Sequence, residues 1–220
     1  MNIAIIGAGP AGLISARNAV KAGHSFVLFE KNALTGGGGG NPWSGGAYRN
    51  ARMQNSRYAF HYTDFPPGST DVFPGVDQVF KYLSALAGTD DIRETTRLNT
   101  EVISLRKTSE NWLIGSVCKG RLREDVFDRA IIATGELWQP SLPALSGAEH
   151  FCGTLISSRE YQEPEKFKGK TLSVIYLEKV ILLTLNTGRH LRQIPRNPFP
   201  RTCRIRKYIS DKMAVKALFS

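Results

Sequence analysis

The sequence predicts an α/β fold of the Rossmann type: a parallel sheet with helices, carrying an inserted β-meander. Three observations lead there. Ile3-Ala4-Ile5-Ile6 is a short apolar run with the composition of a buried parallel strand. A glycine loop, Gly7 to Gly12, follows it without a gap. A helix-forming stretch and a second apolar strand then close one βαβ unit by Lys31.

The helix is expected over Leu13 to Ala22, stopped by Gly23, and the second strand over Ser25 to Phe29, with Glu30 at its end. Each position of Gly7-Ala8-Gly9-Pro10-Ala11-Gly12 has a physical task in a dinucleotide fingerprint. Gly7 permits the tight turn, Gly9 leaves a pyrophosphate unobstructed, and Gly12 lets helix and strand approach closely. The helix start then aims free N–H groups and a positive dipole end at the phosphates. Glu30 stands 23 residues after Gly7, near the roughly 20 expected of an acid that accepts a ribose 2′-OH. A carboxylate here favours FAD or NAD and repels a 2′-phosphate. A glycine-rich loop with no ligand is the competing reading, and the strand–helix–strand–acid context weighs against it.

Asn32 to Gly46 is glycine-rich, with Gly36 to Gly40 in one run, and backbone so bare can lie against a flat ligand. Composition alone suits a loose surface loop, but Trp43 in its middle calls for a packing partner. Tyr48 to Pro67 is aromatic-rich and ends in a turn at Asp64-Phe65-Pro66-Pro67. Val76, Val79, Phe80, Leu83 and Leu86 recur at helical spacing, so Val76 to Ala87 is expected as a helix. The meander is expected as strands over Thr100 to Arg106 and Trp112 to Cys118, a charged turn over Gly120 to Asp125, and a strand over Val126 to Ala133. Ile131-Ile132-Ala133-Thr134-Gly135 is an apolar strand ending in small residues, where backbone can approach a ligand at the C-terminal sheet edge.

Size, cysteines and charge set bounds. With 220 residues the chain suits one or two domains and can bury a real core. Cys118, Cys152 and Cys203 are widely spaced and form no C-x-x-C, which points to a reducing, cytoplasmic compartment and away from a disulfide framework or dithiol chemistry. No metal site is expected. The chain opens directly on a strand, so no signal peptide is expected before the fold. The longest apolar stretch, Leu172 to Leu185, is broken by Glu178 and Lys179, so no transmembrane segment is expected. The net charge of +10 is unevenly placed: residues 1–175 hold 19 Lys and Arg against 17 Asp and Glu, and residues 176–220 hold 10 against 2.

Further motifs carry a resemblance. Met53-Gln54-Asn55-Ser56 with Phe60 and Asp64-Phe65-Pro66 is similar to the run Thr-Asn-x-x-Lys…Phe-x-Asp-Phe-Pro of flavin-containing monooxygenases, the class B flavoprotein type. Trp43 stands in the place of that family's flavin-contacting Leu-Trp pair. Ala133-Thr134-Gly135 with Pro140 and Pro143 fits as well. Phe151 to Tyr161 resembles the identifying motif Phe-x-Gly-x-x-x-His-x-x-x-Tyr. Together with Gly7–Gly12 and Glu30, these cover about residues 1–175, expected to be the FAD-binding domain.

The resemblance implies FAD as cofactor and NADPH as its reductant. It implies that reduced flavin takes up molecular oxygen as a C4a-hydroperoxyflavin and hands one oxygen atom to a soft nucleophile, an amine nitrogen or a sulfide sulfur. It implies cofactor contacts from Gly7, Ala8, Gly9, Pro10, Ala11, Gly12, Glu30, Trp43, Gln54, Asn55, Ser56, Thr134 and Gly135. Asn55 matches the family's active-site asparagine; a turn-capping role is its plain alternative. The implied partners are a small amine or sulfide, oxygen and a further copy of the chain in a homo-oligomer, with no specific nucleic acid.

Two departures stand out. Ser157 holds the histidine slot of the identifying motif. After Phe167 to Ile175, the NADPH-loop glycines expected at 176, 178 and 181 are Tyr176, Glu178 and Ile181. Family pattern ends there, and residues 176–220 are expected to be an irregular basic tail of foreign or out-of-frame sequence in place of the NADPH-binding domain. A basic arm for nucleic acid or an anionic membrane and a disordered extension are its two readings, and prolines at 195, 198 and 200 favour the second. Three function classes remain: an FAD-dependent monooxygenase, a pyridine-nucleotide flavin reductase, and a catalytically silent flavin-binding remnant. The missing C-x-x-C argues against the reductase.

Overall fold

The computed structural model describes residues 1–36, 51–66, 68, 71–135, 148–157, 160–161, 164–176, 179–184 and 215–219. They belong to two compact units, residues 1–138 and 139–220. The division does not fall at residue 175, where the charge balance changes.

In the first unit, β1 (Asn2–Ile6), β2 (Ser25–Phe29), β3 (Thr96–Arg97) and β7 (Arg129–Ile132) form a parallel sheet in the order β3-β2-β1-β7. Between β1 and β2 runs α1 (Pro10–Lys21). It starts three residues before the helix read from the sequence, because proline has a helical φ and its missing N–H has no partner to lose in the first turn. Gly23 ends it in the left-handed region at φ 67°, donating to Val20 O, while His24 donates to Ala19 O.

α2 spans Val76–Ala87, as its spacing predicts, and buries Val76, Val79, Leu83 and Leu86. Leu83 and Leu86 are fully buried with Ile5, Leu13, Ala16 and Leu28 in one cluster. Each such leucine contributes about 2 kcal/mol by leaving water, so Leu83→Ala would remove that and leave a cavity in this layer. Ile92 joins the cluster from α3 (Asp90–Thr95), which is too short to show a period.

The meander covers the opposite face. It consists of β4 (Thr100–Lys107), β5 (Trp112–Cys118) and β6 (Arg121–Phe127), paired antiparallel in that order. Phe127 and Ile114 bury themselves with Ala4 and Phe29, and the Phe29 and Phe127 rings meet edge to face at 5.9 Å. The charged turn expected over Gly120–Asp125 is instead mostly strand. Only Lys119 and Gly120 turn, both left-handed at φ 48° and 76°, the two-residue hairpin geometry. Arg121, Arg123 and Glu124 are charged because they line a solvent-facing strand. The strand expected over Val126–Ala133 breaks at Asp128, where the chain leaves the meander for the parallel sheet. Asn2 N donates to Asp128 Oδ2 at 2.7 Å, and Asp128 N to Asn2 O at 2.9 Å.

In the second unit, β8 (Thr154–Ser157), β9 (Thr171–Tyr176), β10 (Lys179–Thr184) and β11 (Val215–Phe219) form an antiparallel sheet in the order β10-β9-β11-β8. Where an irregular tail is expected from the charge, β10 and β11 are strands. Val180-Ile181-Leu182-Leu183 has the β-branched, apolar composition of one. Among the described residues, no helix is long and apolar enough to cross a membrane.

Candidate functional site

The site begins where β1 ends. Gly7 turns the chain at φ 103°, which L side chains rarely adopt, and its N–H donates to Phe29 O at 2.8 Å. A Cβ at Gly7 would stand 2.5 Å from Ala133 O and 3.3 Å from Thr134 Cα. The glycine loop and the small end of β7, 126 residues apart in the sequence, are therefore in direct backbone contact. Ala133 N donating to Ile6 O at 2.8 Å holds them there. Gly12 is required for a different reason: a Cβ there would lie 1.8 Å from Gly7 O.

Gly9 differs from both. Its φ of −79° and ψ of −173° suit any residue, so backbone conformation gives no reason for glycine. What glycine supplies at that point is the lack of a side chain beside the helix start. Gly9 is also the N-cap of α1, without a side-chain cap and with no acidic residue in the first turn. Uncapped N–H groups and the positive helix end thus meet at Gly9, which has no side chain to cover them. Pro10 and Ala11 beside it are exposed.

Glu30 is buried at 6% exposure, at the end of β2. Three N–H donors satisfy it. Ala8 N reaches Oε2 at 2.9 Å, while Asn32 N and Nδ2 reach Oε1 at 2.9 and 2.8 Å. The carboxylate therefore ties the glycine loop to the end of β2, and Oε2 keeps room for a further donor. Asn32 was not singled out by the motifs. Its signal is an amide two residues after the acid, able to satisfy one carboxylate oxygen twice. Gly36 N donates to Ala8 O at 2.8 Å, so the glycine-rich stretch sets out from beside the loop. Trp43 lies outside the described residues.

Gln54 and Asn55 are exposed in a bend, and Ser56 is half-buried. Their segment is held at several points. Met53 N donates to Pro74 O at 2.9 Å and Arg57 N to Val72 O at 2.7 Å. Tyr62 Oη donates to Pro10 O at 2.7 Å. Tyr82 Oη, from α2, accepts from Tyr62 N at 2.9 Å and donates to Phe65 O at 2.6 Å. Burial, with Tyr82 adding to it, pushes the Tyr62 hydroxyl up to about 12, and burial raises Tyr82 as well. Both stay neutral donors near neutral pH. Asp64 pairs with Lys21 and, at 3.0 Å, with Arg17; the Lys21 contact is the main cause of its lowered pKa. Thr134 and Gly135 lie exposed just past β7.

In the second unit, Ser157 is buried and its Oγ donates to Glu160 Oε1 at 3.3 Å. Tyr161, which closes the same motif, stacks on Phe167 at 5.5 Å. β9 pairs with β10 from Tyr176↔Lys179 back to Thr171↔Thr184. A dinucleotide loop needs a strand that leads through glycines into a helix, and this strand turns back on itself. The residues that follow β9 do not fit an NADPH pyrophosphate. The loop after β1 does fit a flavin dinucleotide, with a turn and a close approach that any Cβ would fill.

A family model described as flavin-binding monooxygenase-like matches residues 1–181. The flavin-containing monooxygenase FMO GS-OX-like 3 of Arabidopsis thaliana is 31% identical over 203 residues, covering 79% of this chain and 45% of the relative. FMO GS-OX-like 5 of the same plant is 30% identical with the same coverage. The chain thus spans about half the length of the curated relatives it matches. Among solved structures, the S-allyl-L-cysteine S-oxygenase of Allium sativum aligns at a TM-score of 0.68 and 25% identity, over 77% of this chain and 44% of that one. Tmm from Pelagibacter sp. strain HTCC7211 aligns equally well. A structure titled OTEMO complex with FAD and NADP aligns over 70% of this chain, with a TM-score of 0.56 and 24% identity.

Proposed function

Because the chain belongs to the flavin-binding monooxygenase-like family, we propose that its first unit holds FAD across the loop Gly7–Gly12 and serves an oxygenation of a soft nucleophile, an amine nitrogen or a sulfide sulfur. The bare Gly9 at the uncapped start of α1 carries this reading. FAD bound there supplies two-electron redox chemistry and the activation of molecular oxygen.

The chain's own residues bind and orient. Gly9, Pro10 and Ala11 would hold the diphosphate, with the Ala11 and Gly12 amides of the first turn of α1 as donors. Glu30 Oε2 would accept from the adenosine ribose. Thr134 and Gly135 lie just past β7, beside the same loop. Gln54, Asn55 and Ser56 would hold the flavin end, with the Asn55 amide as a donor to it. A sulfide substrate is supported by the likeness to the S-allyl-L-cysteine S-oxygenase of Allium sativum. A reducing, cytoplasmic setting is supported by three cysteines without a pairing pattern.

A second reading is favoured by the return of β9 into β10. Without an NADPH loop, this stretch binds flavin and leaves it unreduced by NADPH. Gel filtration followed by an absorbance spectrum tests the first reading: a yellow, flavin-like protein is expected, and a colourless one overturns it. Adding NADPH under anaerobic conditions separates the two. Bleaching supports the complete half-reaction in this chain; a spectrum that stays oxidised supports the silent form.

A further inference from the structure

Segment 51–66 carries Asn55 and has no regular secondary structure of its own beyond isolated bridges. Its fixed points are therefore informative. On one side it is tied to the stretch before α2, through Met53 N to Pro74 O and Arg57 N to Val72 O. On the other it reaches the first residue of α1, through Tyr62 Oη to Pro10 O at 2.7 Å. Pro10 is the residue directly after the bare glycine of the cofactor loop.

The second contact is built with care. The Tyr62 and Tyr82 rings stack at 5.8 Å with 27° between their planes. Phe60 and Phe65 also lie against Tyr82, at 5.7 and 5.4 Å. Tyr82 Oη uses both capacities on this segment, accepting from Tyr62 N and donating to Phe65 O. Arg17 of α1 lies over the Phe65 ring at 5.4 Å while it pairs with Asp64. α1 and α2 thus both hold the segment, and the Tyr62 hydroxyl meets α1 at its first residue.

We propose that Tyr62 is a positioning residue: its hydroxyl on Pro10 O sets the Asn55 bend against the turn that receives the flavin diphosphate, so that the two halves of the site are ordered together. The proposal deepens the flavin reading and rests on it. The stacked ring holds the hydroxyl's aim, and Tyr82 holds the ring.

Tyr62→Phe keeps the stack and removes only the hydroxyl. Hydrogen exchange on the full chain, without added cofactor, reads the coupling directly. Tyr62→Phe should speed exchange several-fold at the Met53 and Arg57 amides and at Leu13 in the first turn of α1, and leave β4 to β6 unchanged. Faster exchange confined to residues 60–66, or spread evenly over the unit, overturns the proposal. FAD titration provides the second readout. Tyr62→Phe should weaken binding by about 3- to 10-fold, the size of one lost hydrogen bond. Combined with Asn55→Ala, the loss should be smaller than the product of the two single losses. Strictly multiplicative losses overturn it. If the wild-type chain takes up no FAD, the cofactor reading fails, and the exchange pattern still decides the clamp.

Discussion

Two apolar strands face the same choice at their C-terminal ends, one in each unit, and make it differently. β1 runs into Gly7, turns left-handed and becomes α1. β9 runs into Tyr176 and returns as β10 from Lys179. Ile3-Ala4-Ile5-Ile6 and Leu172-Ser173-Val174-Ile175 are both strand-forming apolar runs. The strand is not what makes a dinucleotide site. The difference lies in the residues that follow: glycines with no Cβ to obstruct the turn in one case, bulky side chains in the other. One unit thus turns from strand into helix through glycines, and the other has a hairpin at the same position.

The comparison is broken most severely at Gly12. A methyl group there overlaps the Gly7 carbonyl, so the helix must move off the sheet. Gly12→Ala should lower stability by about 3 kcal/mol, seen as an earlier urea midpoint, and abolish flavin retention with it. A wild-type midpoint would mean that loop and helix do not meet as described. Glu30→Ala comes next. It strips the acceptor from Ala8 N–H and from both Asn32 donors, and should cost about 2 kcal/mol of stability. Glu30→Gln keeps the shape but sets an NH2 donor against either Ala8 N–H or the Asn32 donors, so it should recover only the part carried by the one remaining acceptor oxygen.

Gly9→Ala sharpens the comparison instead of breaking it. The backbone at residue 9 accepts any side chain, so the unfolding midpoint should stay within about 0.5 kcal/mol of wild type. Flavin binding should still weaken by about tenfold or more, since the added methyl group occupies the diphosphate's approach. Calorimetric titration beside a urea curve separates the two effects. A stable protein with unchanged affinity would remove the loop from the cofactor site.

How much of this was legible beforehand follows the range of the interactions. The glycine loop, Glu30 and the Val76–Ala87 helix are local patterns, visible as spacing. Two of the meander's strands, β4 and β5, are legible as strands, but β6 is not: solvent-facing charges on a strand look like a turn unless the two left-handed residues, Lys119 and Gly120, are recognised as the whole turn. α3 and β3 are six and two residues long, below the length at which a period declares itself. The join of Tyr62 to Pro10 spans 52 residues of sequence. The sequence displays the aromatics of 58–65, yet nothing in it says which ring stacks on Tyr82 or which carbonyl its neighbour's hydroxyl meets. Nor does a shift of charge at residue 175 mark a boundary, because β9 runs from 171 to 176 straight across it.

The smallest effect concerns pH, and it belongs to the first unit alone. Tyr62 is pushed from 10.0 up to about 12 by burial. A folded pKa above the unfolded one means that the folded chain holds its proton longer, so the stabilisation is complete below pH 10 and fades as pH climbs towards about 12. Because the ring is only half-buried, water screens the effect, which should reach no more than about 1 kcal/mol. Urea midpoints followed from neutral pH into that window should show the advantage of wild type over Tyr62→Phe shrinking as the hydroxyl ionises. Tyr82 stays in both proteins, and its coupling to the Tyr62 hydroxyl acts in the same direction as burial. An advantage that holds constant through the window would mean that the hydroxyl's proton is not what reaches Pro10, and the link between the Asn55 bend and the glycine loop would have to be carried by Asp64 with Arg17 and Lys21 instead.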